Sequence, residues 1–441
     1  MAVEPRTPQG TLELLPAQQI AFQRMLDTIR HNFERFGFLP IETPAFEVAD
    51  VLLTKTGGET EKQVYFVQST GSLEQGKRPE LALRFDLTVP LARYVAEHEH
   101  QLNFPFRRYQ IQRVYRGERA QKGRYREFYQ CDIDVIGKDT LPLTYDAECP
   151  AIIYSIFSQL AFGPFTIYIN NRKLLRGLLE SLGVAPERHA DVLHEVDRLG
   201  KQERSEIEAK VGALATPEVG KRLLDLLTAN SLDSLRDFQP ANATFREGLT
   251  ELEHVYTSTL ALGVPASALE INLAIARGLD YYTGTVYETF LTQHKRLGSI
   301  CSGGRYADLA SHYTKSKLPG VGISIGATRL FSQLLELDLI KTDVKATAQV
   351  LVLSVEAALR LEYLQIANEL RGAGLNVEVY GGDDKLGRQL KYADRSGVPV
   401  ALLYGSRERE TSVIKLKLLR ENREIDIPRA DLMNQIRLHL R

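Results

Sequence analysis

Residues 106–137 read FRRYQIQRVYRGERAQKGRYREFYQCDIDVIG. On both sides of an arginine-rich centre, polar and apolar residues alternate with a period of two, the signature of strands with two unlike faces. The reading is therefore two strands joined by a short loop, the unit of an antiparallel sheet. In the second strand Gln130, Asp132 and Asp134 share one face, and Tyr129, Cys131, Ile133 and Val135 the other. Such an acidic row can simply be the solvated side of a strand. The loop argues for a ligand instead: Arg116, Arg119, Lys122, Arg124 and Arg126 crowd into it, a density suited to a polyphosphate.

The same alternation recurs on either side of this stretch. In LALRFDLTVP (81–90) it predicts a strand, whose RFDLT part places Arg84, Asp86 and Thr88 on one face, and LEINLAIAR (269–277) and YETFL (287–291) read as further strands. Upstream, Phe22, Met25, Leu26, Ile29, Phe33 and Phe36 recur at spacings of three and four, and Gly37 supplies a helix stop. Strands joined largely by hairpin-like turns, with helices beside them, predict an antiparallel sheet covered by helices.

Residues 171–266 change character. LLRGLLESLG, HADVLHEVDRLG, GKRLLDLLTAN and TFREGLTELEHVYTSTLALG each carry a helical apolar stripe, which predicts an inserted all-helical segment. Residues 267–336 resume the first pattern, LDLIKTDVKAT (337–347) reads as a linker, and from 348 to 441 strands and helices alternate as in a small α/β domain.

At 441 residues and 44% hydrophobic composition the chain can bury more than one core. A net charge of -1 argues against wholesale coating of nucleic acid, while the segment from Lys345 onward carries a small positive excess. Cys131, Cys149 and Cys301 form no CxxC pattern and the nine histidines are scattered, so neither a disulfide framework nor a structural metal site is expected. No signal-like N-terminus and no run of roughly 18 apolar residues is present, so the expectation is a cytoplasmic protein with no membrane span.

Three further stretches hold candidate residues. ARGLDYYTG (276–284) joins a strand end at Arg277 to a turn with Tyr281 and Tyr282, and SGGRYADL (302–309) and GVGISIGATRL (320–330) carry small residues that let backbone and ligand approach. GVGISIG is a poor dinucleotide fingerprint, because its third glycine comes one place late and no βαβ context surrounds it.

Taken together, these motifs resemble the histidyl-tRNA synthetase family over essentially the full length. GFLPIETPAFE (37–47) resembles class II motif 1, YRGERAQKGRYREF (115–128) motif 2 and GVGISIGATRL motif 3, while ARGLDYYTG and SGGRY resemble the two histidine signatures. The resemblance implies an α+β catalytic domain with an antiparallel sheet and flanking helices, in two parts at 1–170 and 267–336. It also implies a helical insertion at 171–266, a linker at 337–347, and an α/β anticodon-binding domain at 348–441.

It further implies roles. Arg116 would hold the α-phosphate, Glu118 the adenine amino group, Arg124 and Arg329 the γ-phosphate, with Phe128 under the adenine and Arg277 at the reacting phosphorus. Asp86, Thr88 and Gln130 would hold the ammonium and carboxylate of histidine, Asp134, Tyr282 and Tyr306 would line the imidazole pocket with Tyr281 adjoining, and Pro44 would sit at a homodimer interface. The partners so implied are ATP with Mg2+, L-histidine and tRNA(His), with no protein-held metal.

The chemistry asks for such residues independently. Carboxylate attack on a phosphate builds negative charge that fixed guanidinium groups stabilise, and no covalent protein intermediate is needed. Reading an imidazole takes one acceptor and one donor, which Asp134 and Tyr282 can supply. Four positions depart from the family pattern: Asp86 and Asp134 stand where many bacterial members have glutamate, Ala307 follows SGGRY where an aspartate is usual, and Thr328 precedes Arg329 in place of an acid. The alternative reading is a non-catalytic synthetase paralogue that senses histidine as a regulatory subunit; such proteins usually lose the C-terminal domain and the motif arginines, and this chain keeps both.

Overall fold

The computed structural model describes residues 3–53, 63–118, 123–199, 202–228, 231–238, 242–275, 282–307 and 310–440. The chain divides into two compact units, Met1–Glu13 with Met25–Ile340, and Leu14–Arg24 with Lys341–Arg441. The grouping of Leu14–Arg24 with the C-terminal segment differs from a boundary drawn along the sequence alone.

The first unit is built on strands β1 (Leu39–Pro40), β2 (Phe46–Val48), β3 (Phe66–Val67), β4 (Leu81–Leu83), β5 (Phe106–Tyr115), β6 (Glu127–Ile136), β7 (Phe165–Asn171), β8 (Leu269–Ile271), β9 (Thr285–Leu291), β10 (Cys301–Tyr306) and β11 (Gly320–Gly326). Eight of them form one sheet in the order β1-β5-β6-β11-β10-β9-β7-β8, antiparallel throughout except for the parallel edge pairs β1/β5 and β7/β8. The long β5–β6 hairpin is the pair read from residues 106–137, and its register sets Arg108 opposite Asp134, Gln110 opposite Asp132 and Gln112 opposite Gln130.

The helix Pro16–Arg35 buries Phe22, Met25, Leu26, Ile29 and Phe33, the stripe expected from spacing. It stops at Gly37, whose φ of 77° lets the Phe38 amide reach back to the Phe33 carbonyl. On the sheet, the helix Thr144–Leu160 buries Ile152, Ile153, Ile156 and Phe157.

Two expected strands are shorter than their alternation implies: among the described residues LEINLAIAR is strand only over Leu269–Ile271 and LALRFDLTVP only over Leu81–Leu83. β4 ends at Leu83, and RFDLT leads into the helix Thr88–His98, with Asp86 Oδ1 accepting from the Val89 amide at 3.1 Å. An aspartate that bonds the first turn and a proline within that turn, Pro90, are helix-start chemistry, which here overrides a two-residue alternation. Arg84 consequently turns away from Asp86: it is buried, donating to the carbonyls of Thr43 (2.7 Å), Pro44 (3.2 Å) and Arg113 (2.8 Å) and to Gln112 Oε1 (2.7 Å).

Between β7 and β8 lie the helices Arg172–Ser181, His189–Val196, Arg204–Leu214, Pro217–Thr228, Leu232–Asp237 and Ala243–Ala261. The first and last cross closely at two glycines, since a Cβ on Gly248 would stand 2.2 Å from the Leu174 amide and one on Gly177 2.3 Å from the Phe245 amide.

The second unit carries β12 (Val350–Val352), β13 (Val377–Val379), β14 (Val400–Leu403), β15 (Val413–Leu418) and β16 (Arg423–Pro428), in the order β13-β12-β14-β15-β16. β12 runs parallel to β13 and β14, and the other pairs are antiparallel. Tyr363, Ile366, Ala367 and Leu370, at helical spacing on Arg360–Gly372, pack with Val350, Val352, Leu402 and Leu416 into its core. Among the described residues no helix is long and apolar enough to cross a membrane.

Candidate active site

The β5–β6 hairpin, β10, β11 and the start of the helix Thr88–His98 enclose a cavity of about 650 Å³. Asp86, Thr88, Arg116, Glu118, Arg124, Phe128, Gln130, Tyr282 and Arg329 all line it. These nine residues run from Asp86 to Arg329 along the chain, and the sheet order brings them together. Arg277 and Tyr281, with Arg119 and Lys122 of the loop, fall outside the described residues.

The loop end of the cavity is cationic and open. Arg116 donates through Nε to the Phe85 carbonyl at 3.0 Å and lies 5.2 Å from the Phe128 ring centroid. Arg124 pairs with Glu118 at 3.3 Å and is more than half exposed. The Arg329 guanidinium donates to the Leu297 carbonyl. Thr328 accepts from the Tyr129 amide at 2.8 Å and so ties the start of the helix Ala327–Glu336 to β6.

The floor is acidic and closed. A small recess lined by Thr88, Asp132, Asp134, Tyr282, Gly304, Tyr306 and Gly322 adjoins the main cavity. Asp132 and Asp134 are 2% and 5% exposed, so the acidic row faces this recess and not solvent. Tyr306 donates to Asp134 Oδ1 at 3.0 Å, and Gln130 donates to Ser324 Oγ at 2.7 Å.

The small residues of β10 and β11 make room for these side chains. A Cβ on Gly322, the register partner of Asp134, would stand 2.3 Å from Asp134 Oδ1, and one on Gly304 2.8 Å from the Tyr282 ring. Only glycine leaves the carboxylate and the phenol in place.

Burial pushes the Asp132 carboxyl up to about 7 and that of Asp134 up to about 6, each opposed by the nearby Arg108 guanidinium. Asp86 is also raised, by desolvation, against the pull of the Val89 amide and Arg116. The Tyr282 phenol is pushed up by burial and by Asp134 and Asp132, which keeps it a neutral hydroxyl.

Two residues of the site carry no role that the sequence alone assigns. Asp132 lies on the predicted polar row, beside the residues given functions there. Arg108 is fully buried and pairs with Asp134 Oδ2 at 2.6 Å. Its signal is present in the alternation of FRRYQIQ, but only strand register reveals which carboxylate it meets.

Comparison with known proteins settles the family. The sequence model described as histidyl-tRNA synthetase matches residues 10–330, and that described as anticodon binding domain matches residues 349–438. The curated histidine–tRNA ligase of Xanthomonas campestris pv. campestris (strain 8004) is 54% identical over 462 residues, spanning 99% of this chain and 97% of that protein. The chain belongs to the histidyl-tRNA synthetase family.

The solved histidyl-tRNA synthetase of Nostoc sp. PCC 7120 superposes with a TM-score of 0.91 at 39% identity, covering 99% of this chain and all of that one. A Bacillus halodurans chain, described as an ATP phosphoribosyltransferase regulatory subunit/histidyl-tRNA synthetase, has a TM-score of 0.74 over 89% of this chain and 97% of its own; at 21% identity it shows the fold alone. Identity of 54% with a ligase across the whole length disfavours the regulatory paralogue. The activity of the family is ATP-dependent joining of histidine to tRNA, with ATP, histidine and tRNA as substrates. The class II catalytic fold and the C-terminal anticodon-binding domain are those of the family.

A second cavity, of about 700 Å³, lies in the other unit and is lined by Gln19, Arg24, Asn376, Arg420 and His439 among others. None of the candidate site residues borders it.

Proposed function

We propose that the 650 Å³ cavity activates histidine on ATP, with the triphosphate at its arginine end and histidine on its acidic floor. The observation that carries this reading is the shared lining of one space by Arg116, Glu118, Arg124, Phe128 and Arg329 on one side and Asp86, Thr88, Gln130 and Tyr282 on the other. A histidine carboxylate oxygen attacks the α-phosphorus, the bond to the β-phosphate breaks, and pyrophosphate leaves from the loop end. Arg116, anchored on the Phe85 carbonyl, meets the charge that develops on the α-phosphate oxygens. Glu118 is the acceptor for the adenine amino group, Phe128 the ring beneath the base, and Arg124 and Arg329 the γ-phosphate contacts.

On the floor, Asp86, Thr88 and Gln130 hold the ammonium and carboxylate groups, and Asp134, Tyr282 and Tyr306 read the imidazole. A site whose polar groups are left unpaired by the wrong amino acid discriminates by roughly 10⁴ or more.

Mg2+ accompanies ATP in this reading. Such a cation keeps several waters and is held through phosphate oxygens with one or two carboxylates, not by an all-protein cage. The protein acts as a homodimer through the motif 1 region, where Leu39, Phe46, Val48 and Phe66 expose about half or more of their surface near Pro44. The domain roles follow the family order, the anticodon being read by 348–441. Cytoplasmic residence is in keeping with buried, free Cys131, Cys149 and Cys301.

Histidine-dependent exchange of pyrophosphate into ATP tests the reading. Arg277→Ala should lower the exchange rate by about 10² to 10³, the cost of a lost charge-stabilising donor, while folding and dimerisation persist. A folded variant with near-normal exchange would remove Arg277 from the reaction, and loss of exchange with no histidine or ATP binding in the parent protein would remove the cavity.

A further inference from the structure

Asp134 is held on three sides. Arg108, its cross-strand partner on β5, pairs with Oδ2 at 2.6 Å, Tyr306 on β10 donates to Oδ1 at 3.0 Å, and Gly322 on β11 stands opposite with no room for a Cβ. Arg108 is itself anchored by the Leu87 carbonyl at 3.3 Å, at the start of the helix that carries Thr88. It is 0% exposed, and its Nε and Nη1 make no hydrogen bond to the described residues.

A guanidinium is costly to bury, and one left with idle donors is not there for stability alone. A hydrophobic residue of similar volume would close a sheet more cheaply. Here the cation faces three carboxylates, Asp86, Asp132 and Asp134, each of which it draws toward the ionised form. It lies beside them on the neighbouring strand and the same face of the sheet, and is not among the residues that line the main cavity.

We infer that Arg108 is a positioning residue for histidine recognition: it clamps Oδ2 of Asp134 so that an ionised Oδ1, shared with the Tyr306 hydroxyl, is presented to an imidazole N–H. The inference rests on the proposed role of Asp134 as the imidazole acceptor. The short aspartate side chain is then served by a cation that takes up one of its oxygens and leaves the other for substrate.

The sign of the pH effect follows. Arg108 favours the carboxylate of Asp134, so its removal raises the pH at which that group gains a proton. Histidine binding needs the carboxylate; its acid limb joins protonation of Asp134, raised to about 6, with that of the ligand's own imidazole, about 6.5, and only the Asp134 part moves to higher pH without the guanidinium. The other groups facing Asp134 are Asp132 on its own strand, Asp86 before the helix Thr88–His98, Tyr306 on β10, Tyr282, and Cys149 on the helix Thr144–Leu160. Asp132 titrates close by, so that part of the limb is a property of the coupled pair.

The test uses the full chain with D134N, R108M, R108K and the neutral double variant R108M/D134N. Calorimetric titration gives the histidine Kd from pH 5 to 8.5, and exchange kinetics give the KM for ATP. R108M should weaken histidine binding at least tenfold and shift its acid limb upward, with the KM for ATP within twofold of the parent. R108K, which keeps the charge, should restore part of the affinity and return the limb toward its parent position. Because Arg108 acts through Asp134, the double variant should bind histidine no more weakly than D134N. Parent-like affinity and an unmoved limb in R108M would overturn the inference, as would a double variant tenfold worse than D134N or an ATP KM that rises in step. If R108M does not fold, the comparison of D134N with R108M/D134N decides alone; failure of both Arg108 variants to fold, with D134N folded, assigns Arg108 to the fold and overturns it too. An unchanged histidine Kd in D134N would instead sink the role of Asp134 itself, whatever Arg108 does.

Discussion

Arg305 and Tyr306 are neighbours on β10 and leave it on opposite faces, and each belongs to a buried carboxylate network of a different kind. On the far face Arg305 grips Asp146 through Nε (3.0 Å) and its terminal nitrogen, while Thr285 donates to Asp146 Oδ1 at 2.7 Å and the Tyr287 hydroxyl to the Asp146 carbonyl at 2.8 Å. Arg305 also donates to the Pro142 carbonyl at 3.1 Å. Among the described residues that network leaves no buried polar side-chain atom without a partner, and it does not line the main cavity or its recess. On the near face the Arg108–Asp134 pair has Tyr306 and the Leu87 carbonyl as further partners, idle nitrogens on the arginine, and a recess in front of it. A satisfied buried pair holds a sheet to its helix; a partly satisfied one beside a recess keeps capacity for a ligand.

The comparison can be broken most sharply on the structural side. Asp146→Asn leaves Arg305 as an uncompensated buried charge and should cost about 3 to 5 kcal/mol of stability. The histidine Kd of whatever remains folded should stay within twofold. Denaturant titration with calorimetry on the same sample checks both, and a tenfold loss of histidine affinity at unchanged stability would erase the distinction between the two networks.

Asp134→Asn is its counterpart on the ligand side. A hydrogen bond to a charged group contributes roughly 1.5 to 3 kcal/mol, so histidine affinity should fall at least about tenfold, with ATP affinity much less affected. This variant also strands Arg108, and some stability is lost with it. The two readouts separate here, because the Asp146 variant moves only stability.

Asp132→Asn sharpens the account of the floor through pH. The folded-state pKa of Asp132 is raised to about 7, so the native protein is favoured with this group protonated; that stabilisation is full below the ordinary aspartate range and is lost as pH rises through 7. Asparagine is neutral at every pH. The melting temperature of the variant relative to the parent should therefore rise between pH 4.5 and pH 8.5, by the equivalent of at least about 1 kcal/mol, since a tenfold change in proton affinity on folding corresponds to about 1.4 kcal/mol. A difference flat with pH would show that Asp132 ionises as an exposed aspartate does.

The smallest expected effect lies at the loop end. The Glu118–Arg124 pair is partly solvated, so Glu118→Gln should change stability by no more than about 0.5 kcal/mol. The same change should still raise the KM for ATP, because an acceptor for the adenine amino group is replaced. An unaltered KM would detach Glu118 from the base.

Much of this was legible in the residue order alone. Period-two alternation identified β5, β6 and β9, three- and four-residue spacing identified the first helix and the helical segment, and Gly37 marked a helix end, because local backbone geometry dictates which residues share a face. The motif stretches carried the resemblance to the family, and that resemblance named nine of the residues that line the cavity. RFDLT misled, since five residues cannot distinguish a strand from a helix entry once Asp86 and Pro90 bond and fit the first turn. Whether the row Gln130, Asp132 and Asp134 met water or a recess depended on what lay opposite, and that was decided by β5 and β11 through register. The meeting of Arg108 with Asp134, the clearance at Gly322 and the raised carboxylates all arise from pairings between distant segments in a medium of low polarity. Sequence periodicity specifies the face of a side chain; only the assembled sheet decides which charge it faces and how much water remains between them.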